Sequence, residues 1–345
     1  MEAASASATP EQVAATPSPA PAASPVPAPI PAPTRYYAEI HPGPSEPLPN
    51  EFAAAVKQLE AVLGCPVWML IQNGEGPWSD INPRVFRGFR SHKSKIAESR
   101  PVALILDSPG GDAQFAYQIA RLFQRRANGF SVLIPQWAKS AATLLALGAS
   151  NIVLGRDAEL GPLDVQIFDP EREDYDSALN AVQSLERLNA FSLTAIDQAM
   201  QLLMGRTRKK SDTLLPLVLE YAANFLRPLL EKIDTVDYTK KSRDLKVAEQ
   251  YAVRLMRANY SAADARRIAS HLVEKYSTHG FVIDREEAKA CEQISHSEWF
   301  GLGLKVGDMS KELDEAIEQI IPFMDTLTVA GRVMEVKGEA TNEVS

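Results

Sequence analysis

Cysteine is almost absent: Cys65 and Cys291 are the only two in 345 residues. Two thiols cannot build a disulfide framework and offer no metal-ligand spacing. They read as packed side chains of a chain kept in a reducing, cytoplasmic compartment. Histidine is scarce as well, with five residues, and no set of His, Cys and carboxylates is spaced for a metal, so neither metal nor cofactor is expected. A GxGxxG fingerprint is missing, which removes the sequence support for a nicotinamide dinucleotide. An excess of positive charge is missing too. The 36 Lys and Arg are outnumbered by 44 Asp and Glu, for a net charge of -8, and such a balance argues against a nucleic-acid partner. The short basic run Arg206–Lys210 reads as a solvated helix end. Finally, there is no uninterrupted run of about 18 apolar residues, so no membrane span is expected. The longest candidate, 130–155, is broken by Pro135 and Lys139.

Proline, by contrast, is concentrated. Thirteen of the 24 prolines fall in the first fifty residues, mixed with Ala and Ser. Such a tract lacks the apolar surface to offset the entropy of ordering, so residues 1–48 are expected to form a disordered, polyproline-like tail. A helix follows, with Phe52, Val56, Leu59 and Leu63 on one face and Gly64 and Pro66 to stop it. Val67–Ile71 and Val102–Leu106 are continuous apolar runs of strand length, as suits strands covered on both faces. Asn82-Pro83 marks a helix start. Helical spacing of Ala116, Ile119, Ala120 and Phe123, a strand near 130–134, a helix near 140–147 and a strand at 151–154 complete an alternating pattern. That pattern predicts an α/β fold with a largely parallel sheet over 49–175. Residues 176–328 read as a mainly helical extension that completes the site and the oligomer, and 329–345 as a flexible tail.

Two features point to chemistry. The pair Gly110-Gly111 follows a buried strand, where glycine lets backbone amides face an anion. Ser140, between Lys139 and Ala141, opens an apolar helix after a strand. A serine in that place commonly serves as a helix cap, and a helix start also favours developing negative charge.

Three motifs carry a family resemblance: Asp107-Ser108-Pro109-Gly110-Gly111-Asp112, Ala138-Lys139-Ser140-Ala141-Ala142-Thr143, and Leu160-Gly161-Pro162-Leu163-Asp164-Val165-Gln166. In this order they resemble the core of the Clp protease/crotonase superfamily, and specifically its serine dehydrogenase proteinase branch, related to signal peptide peptidase A. Thr278-His279-Gly280-Phe281-Val282-Ile283, followed by Glu286-Glu287-Ala288, is similar to the same branch. The resemblance implies a crotonase-like fold, Ser140 as nucleophile, and an oxyanion hole from Gly110, Gly111 and the Ala141 amide. It further implies a peptide or protein substrate and a homo-oligomer, and leaves any unfoldase partner open. Clp proteases place a histidine about 25 residues after the serine, and here no histidine occurs between His92 and His271. A lysine base is the natural replacement. Lys241, on the apolar stripe with Leu245, is the leading candidate; Lys246, on the other face, and His279 are alternatives. Asp164 is expected beside the site as a helix cap or acceptor of backbone amides. The function expected is a serine-type peptidase. A catalytically inactive assembly module and a crotonase-type acyl-CoA enzyme are the competing readings.

Overall fold

The computed structural model describes residues 34–336 except 74, 97–99, 165, 170–173, 277 and 296–298. β1 (Arg35–Ala38) leads to α1 (Asn50–Leu63), which buries Phe52, Val56 and Leu59 and ends where Gly64 turns left-handed at φ 64°. Glycine reaches that conformation without a Cβ clash. Strand and helix then alternate: β2 (Val67–Gln72), α2 (Pro83–Ser91), β3 (Val102–Asp107), α3 (Ala113–Arg126), β4 (Phe130–Ile134), the short β5 (Trp137–Ala138), α4 (Ala141–Ala146), β6 (Asn151–Leu154) and the short β7 (Glu159–Leu160). The start of α2 is the one its sequence specifies. The Asn82 side chain accepts from the N–H groups of Arg84 and Val85 at 2.8 and 3.2 Å, and Pro83 fills a position that needs no donor.

Strands β2, β3, β4 and β6 pair side by side in parallel. Alternate residues divide between two cores. Trp68, Leu70, Leu104, Leu106, Val132 and Ile134 pack with the buried residues of α2, α3 and α4. Met69, Ile71, Ala103, Ile105 and Leu133 pack with α1 and with Leu313, Ile317 and Met324. With both faces covered, no polar alternation survives in these strands.

A second layer positions the site. Beyond each parallel strand the chain runs on in a short extended stretch, and these stretches pair sideways. Ile81 bridges Gly111, Ser108 bridges Ala138, β5 pairs with β7, and Leu160 bridges Ile283. Each rung belongs to a successive strand–helix unit, so the fold repeats although the sequence does not.

The remaining elements are β8 (Gln166–Asp169) and β9 (Asp174–Ser177), α5 (Ala178–Thr207), α6 (Ser211–Leu230), α7 (Thr235–Met256), α8 (Ala262–Glu274), α9 (Arg285–Lys289), β10 (Glu292–Gln293), β11 (Trp299–Phe300), α10 (Lys311–Glu318), β12 (Thr328–Gly331) and β13 (Val333–Val336). Arg35–Val336 is one compact unit, with no break near residue 175.

Both expected tail boundaries need correction. β12 pairs antiparallel with β2 and forms the edge of the central sheet, and β13 pairs with β1. The order therefore reaches inside 1–48 as far back as Arg35, and past 329 as far as Val336. These strands are four residues each and pair with partners distant in sequence, so neither periodicity nor composition announces them. The rest of the two predicted tails, 1–33 and 337–345, lies outside the described residues.

A truncation series checks this account. A chain starting at Asn50 loses β1 and the strand pairing of β13. It is expected to melt several degrees below a chain starting at Thr34. Equal melting temperatures would mean that β1 contributes nothing to the fold.

Candidate active site

Ser140 stands at the corner between β5 and α4, with φ 50° and ψ -118°. This is the second position of a turn whose ends are closed by the Ala142 N–H donating to Lys139 O at 2.9 Å. A side chain is strained in that backbone region. The hydroxyl makes no helix-capping bond, so the capping role open to a serine here is not taken. Oγ instead lies 3.5 Å from the Asp164 carbonyl oxygen. Buried Thr143 fastens the corner: its hydroxyl lies 2.7 Å from Ala138 O and 2.8 Å from Gly161 O. Lys139 turns away toward Glu159, its ammonium 2.5 Å from the carboxylate.

The glycine loop lies directly against this corner. A Cβ on Gly110 would stand 2.6 Å from Lys139 O, 3.0 Å from Ala141 N and 3.1 Å from the Ser140 Cβ. The Gly110 N–H donates to Ser108 Oγ at 3.1 Å. Within the expected Gly110-Gly111 region this amide is therefore already engaged. The Gly110 carbonyl accepts from Ile81 N–H at 2.6 Å. In a trans peptide the following N–H points the opposite way, so the Gly111 N–H faces away from Ile81.

A cavity of about 690 Å³ brings the parts together. Its lining includes Gly111, Ser140, Ala141, Asp164 and His279, with Asp244, Val247, Ala248 and Tyr251 contributed by α7. Sequence reasoning missed Asp80, which also lines it, and the α7 face beyond the stripe around Leu245. The His279 loop is held by the reciprocal bonds between Leu160 and Ile283, at 2.9 and 3.1 Å. Its Nδ1 lies 3.9 Å from Asp164 Oδ2 and is buried without a hydrogen-bond partner among the described residues. Burial lowers the His279 pKa below the usual histidine value, Asp164 opposes this, and Lys139 adds to it. Asp164 is 2% exposed, and its Oδ1 accepts from Leu179 N–H at 3.3 Å, as a carboxylate accepting backbone amides beside the site.

The two lysines lie elsewhere. Lys241 is buried, as its place on the stripe predicts, but its ammonium is 3.0 Å from Asp237 and it does not line the cavity. The stripe fixes the face of α7 and leaves the axial position open. Lys241 stands about two turns, roughly 10 Å along the axis, before Ala248. Lys246 is exposed, pairs with Glu249, and lines a separate cavity on the far side of α7. Among the described residues no group of three His, Cys or carboxylate side chains is placed to hold a metal. Nor is any described helix long and apolar enough to cross a membrane.

The mostly parallel sheet and the rungs beside it define a ClpP-like α/β fold. Residues 56–199 match the family model of the ClpP-like SDH-type serine proteinases, the branch that the three motifs resemble. The match includes the glycine pair, Ser140 and Asp164, and ends before Lys241 and His279. Two uncharacterized proteins of Methanocaldococcus jannaschii are similar. MJ0137 is 26% identical over 192 residues, 56% of this chain and 52% of its own length. MJ1495 is 39% identical over 70 residues, 20% of this chain and 24% of its own length. The chain thus spans about half of the first relative and a quarter of the second. Among solved structures, two mutants of the 1510-N membrane-bound stomatin-specific protease, one in complex with a substrate peptide, are similar at TM-score 0.28 each. Their identities are 20% and 18%. They cover 39% of this chain and 59% and 63% of their own.

Asp107 was not singled out by sequence for its own chemistry. It is fully buried at the end of β3, within 3.4 Å of both Asn73 Nδ2 and the Trp137 N–H that begins the strand leading to Ser140. Burial raises its pKa to about 7, against these bonds. The native state therefore holds the proton more tightly than the unfolded chain. The resulting stability is full below pH 4 and is lost as pH rises toward 7. Asp107→Asn is expected to abolish that decline, so the variant gains on the wild type in denaturant midpoint between pH 4 and 7. Parallel stability–pH curves would refute the buried proton.

Proposed function

We propose that this protein is a serine peptidase in which Ser140, His279 and Asp164 work as one unit. The observation that carries the reading is the strained, uncapped Ser140 in a cavity shared with half-buried His279 and buried Asp164. Ser140 Oγ attacks the carbonyl carbon of a peptide bond while His279 takes its proton. The Gly111 and Ala141 N–H groups receive the oxyanion. As the C–N bond breaks, His279 passes the proton to the leaving amine. Water then attacks the acyl-enzyme by the same route. Asp164 orients the imidazole; the 3.9 Å gap needs a shift of less than 1 Å to become a hydrogen bond, and such contacts commonly tighten only with substrate bound. Histidine in this place removes the need for a lysine with a depressed pKa. Lys241 is the second reading, supported by its burial alone.

Substrates are peptides or proteins, and the working form is a homo-oligomer. Self-association is supported by the helical region, where Phe191, Leu193, Leu217, Tyr221, Phe225 and Leu230 are all exposed on α5 and α6. A lone chain rarely tolerates so much apolar surface.

Ser140→Ala and His279→Ala are expected to lower kcat by several orders of magnitude and to end fluorophosphonate labelling or slow it greatly, with the fold intact. Lys241→Ala and Lys246→Ala retain activity; loss with Lys241→Ala and retention with His279→Ala would reassign the base. In the wild type kcat/KM falls on the acid side with an apparent pKa below 6.5, because His279 must be neutral to act and burial lowers its pKa. Lys139→Met removes a nearby positive charge and moves that limb to higher pH. Light scattering at micromolar concentration tests the assembly: a mass above 37.8 kDa by an integral factor is expected, and a stable monomer would refute it.

A further inference from the structure

Two buried polar side chains have no part in the chemistry above. Gln72 ends β2 after five apolar residues and is 1% exposed; Ser108 follows β3 and is fully buried. Polar groups in such a place are costly unless every donor and acceptor is matched. Here they are. Gln72 Nε2 donates to Trp78 O at 2.9 Å and to Asp80 O at 2.6 Å. Its Oε1 accepts from Ser108 Oγ at 2.7 Å. Ser108 Oγ accepts in turn from Gly110 N–H at 3.1 Å.

The two arms converge on one residue, Gly110. Asp80 C=O and Ile81 N–H belong to the same amide plane, so the bond from Gln72 fixes the direction of the Ile81 N–H. That N–H donates to Gly110 O at 2.6 Å. Gly110 C=O and Gly111 N–H share the next plane, which sends the Gly111 N–H away from Ile81. Gly111 lines the cavity that holds Ser140 and Ala141. The series therefore runs from the Gln72 amide through two peptide planes to the Gly111 donor. Serial hydrogen bonds of this kind polarise one another. The second arm, through Ser108, holds Gly110 from its nitrogen side.

We propose that Gln72 and Ser108 are positioning residues: a buried hydrogen-bond relay that aims and polarises the Gly111 N–H at the oxyanion of the Ser140 reaction. This deepens the peptidase reading and rests on it. Neither residue lines the cavity. Their effect appears only where negative charge develops, in the transition state.

The test uses the full-length protein and three variants: Gln72→Met, which removes the first arm and the support of Ser108; Ser108→Ala, which removes the second arm; and Ser108→Thr, which keeps the hydroxyl. Kinetics on a peptide ester are normalised to sites titrated with a fluorophosphonate. Gln72→Met and Ser108→Ala are expected to lower kcat by roughly ten- to a hundredfold, less than deletion of an oxyanion donor, with KM within about twofold. Ser108→Thr stays near wild type. A peptidyl boronate, whose adduct carries the oxyanion charge, loses affinity in proportion to kcat, while the product peptide binds unchanged. A merely structural role would lower the melting temperature and leave kcat per titrated site and boronate affinity alone; that result overturns the proposal. If Gln72→Met does not fold, the two Ser108 variants decide. If the wild type takes no fluorophosphonate, or Ser140→Ala is as active as the wild type, the peptidase reading itself fails and the relay with it. A labelled wild type with unaffected relay variants sinks the relay alone.

Discussion

The structure turns on one close approach: the glycine loop and the Ser140 corner occupy adjoining space with no room for a side chain between them. Gly110 is pressed against Lys139, Ser140 and Ala141 so tightly that a Cβ would overlap backbone at 2.6 Å. Gly111 is equally confined on its other side, where a Cβ would stand 2.4 Å from Ile81 O. Both glycines have positive φ, 106° and 131°, which other residues reach only under strain. Because backbone packs on backbone here, the glycine loop places no side chain of its own between itself and the Ser140 corner. The rungs beside the main sheet hold this arrangement, since each ties a site-bearing turn to the next unit.

The helical region is part of the same construction. α7 packs against α3, α4 and α8 and supplies one wall of the cavity through Asp244, Val247, Ala248 and Tyr251. α5 packs against both α6 and α7. α5 and α6, which carry exposed apolar side chains, thus connect through α7 to one wall of the cavity that holds Ser140. The His279 loop, between α8 and α9, joins through the Leu160–Ile283 bridge.

Much of the fold was legible in the sequence, for a physical reason. Val67–Gln72 and Val102–Asp107 are buried on both faces, and α1 and α3 on one, so burial leaves a continuous or periodic apolar record. β1 and β12 leave no such record. Thr328–Gly331 is made of small residues and owes its place to a strand more than 250 positions away. At the site, the glycine pair was legible because its turn has no room for a side chain, and Ser140 through the motif around it. Lys241 is buried as its stripe predicts but does not line the cavity, because a helical stripe specifies a face and gives no depth along the axis. His279 and Asp164 come together only through rungs that local sequence does not encode. Gln72 and Ser108 carried a weak signal: an amide closing an apolar strand and a hydroxyl in the glycine turn.

The backbone of Ser140 bears on how such a chain drifts over generations. At φ 50° and ψ -118° a serine carries strain on the order of 1–3 kcal/mol, and glycine would sit there at ease. A lineage with no use for the hydroxyl gains stability by a single replacement at this corner and has no reason to resist it. Descendants that kept only the scaffold should therefore collect glycine at position 140 while retaining Gly110 and Gly111, which the packing still requires. Serine and the glycine pair answer to different pressures, one chemical and one steric, and they can part company.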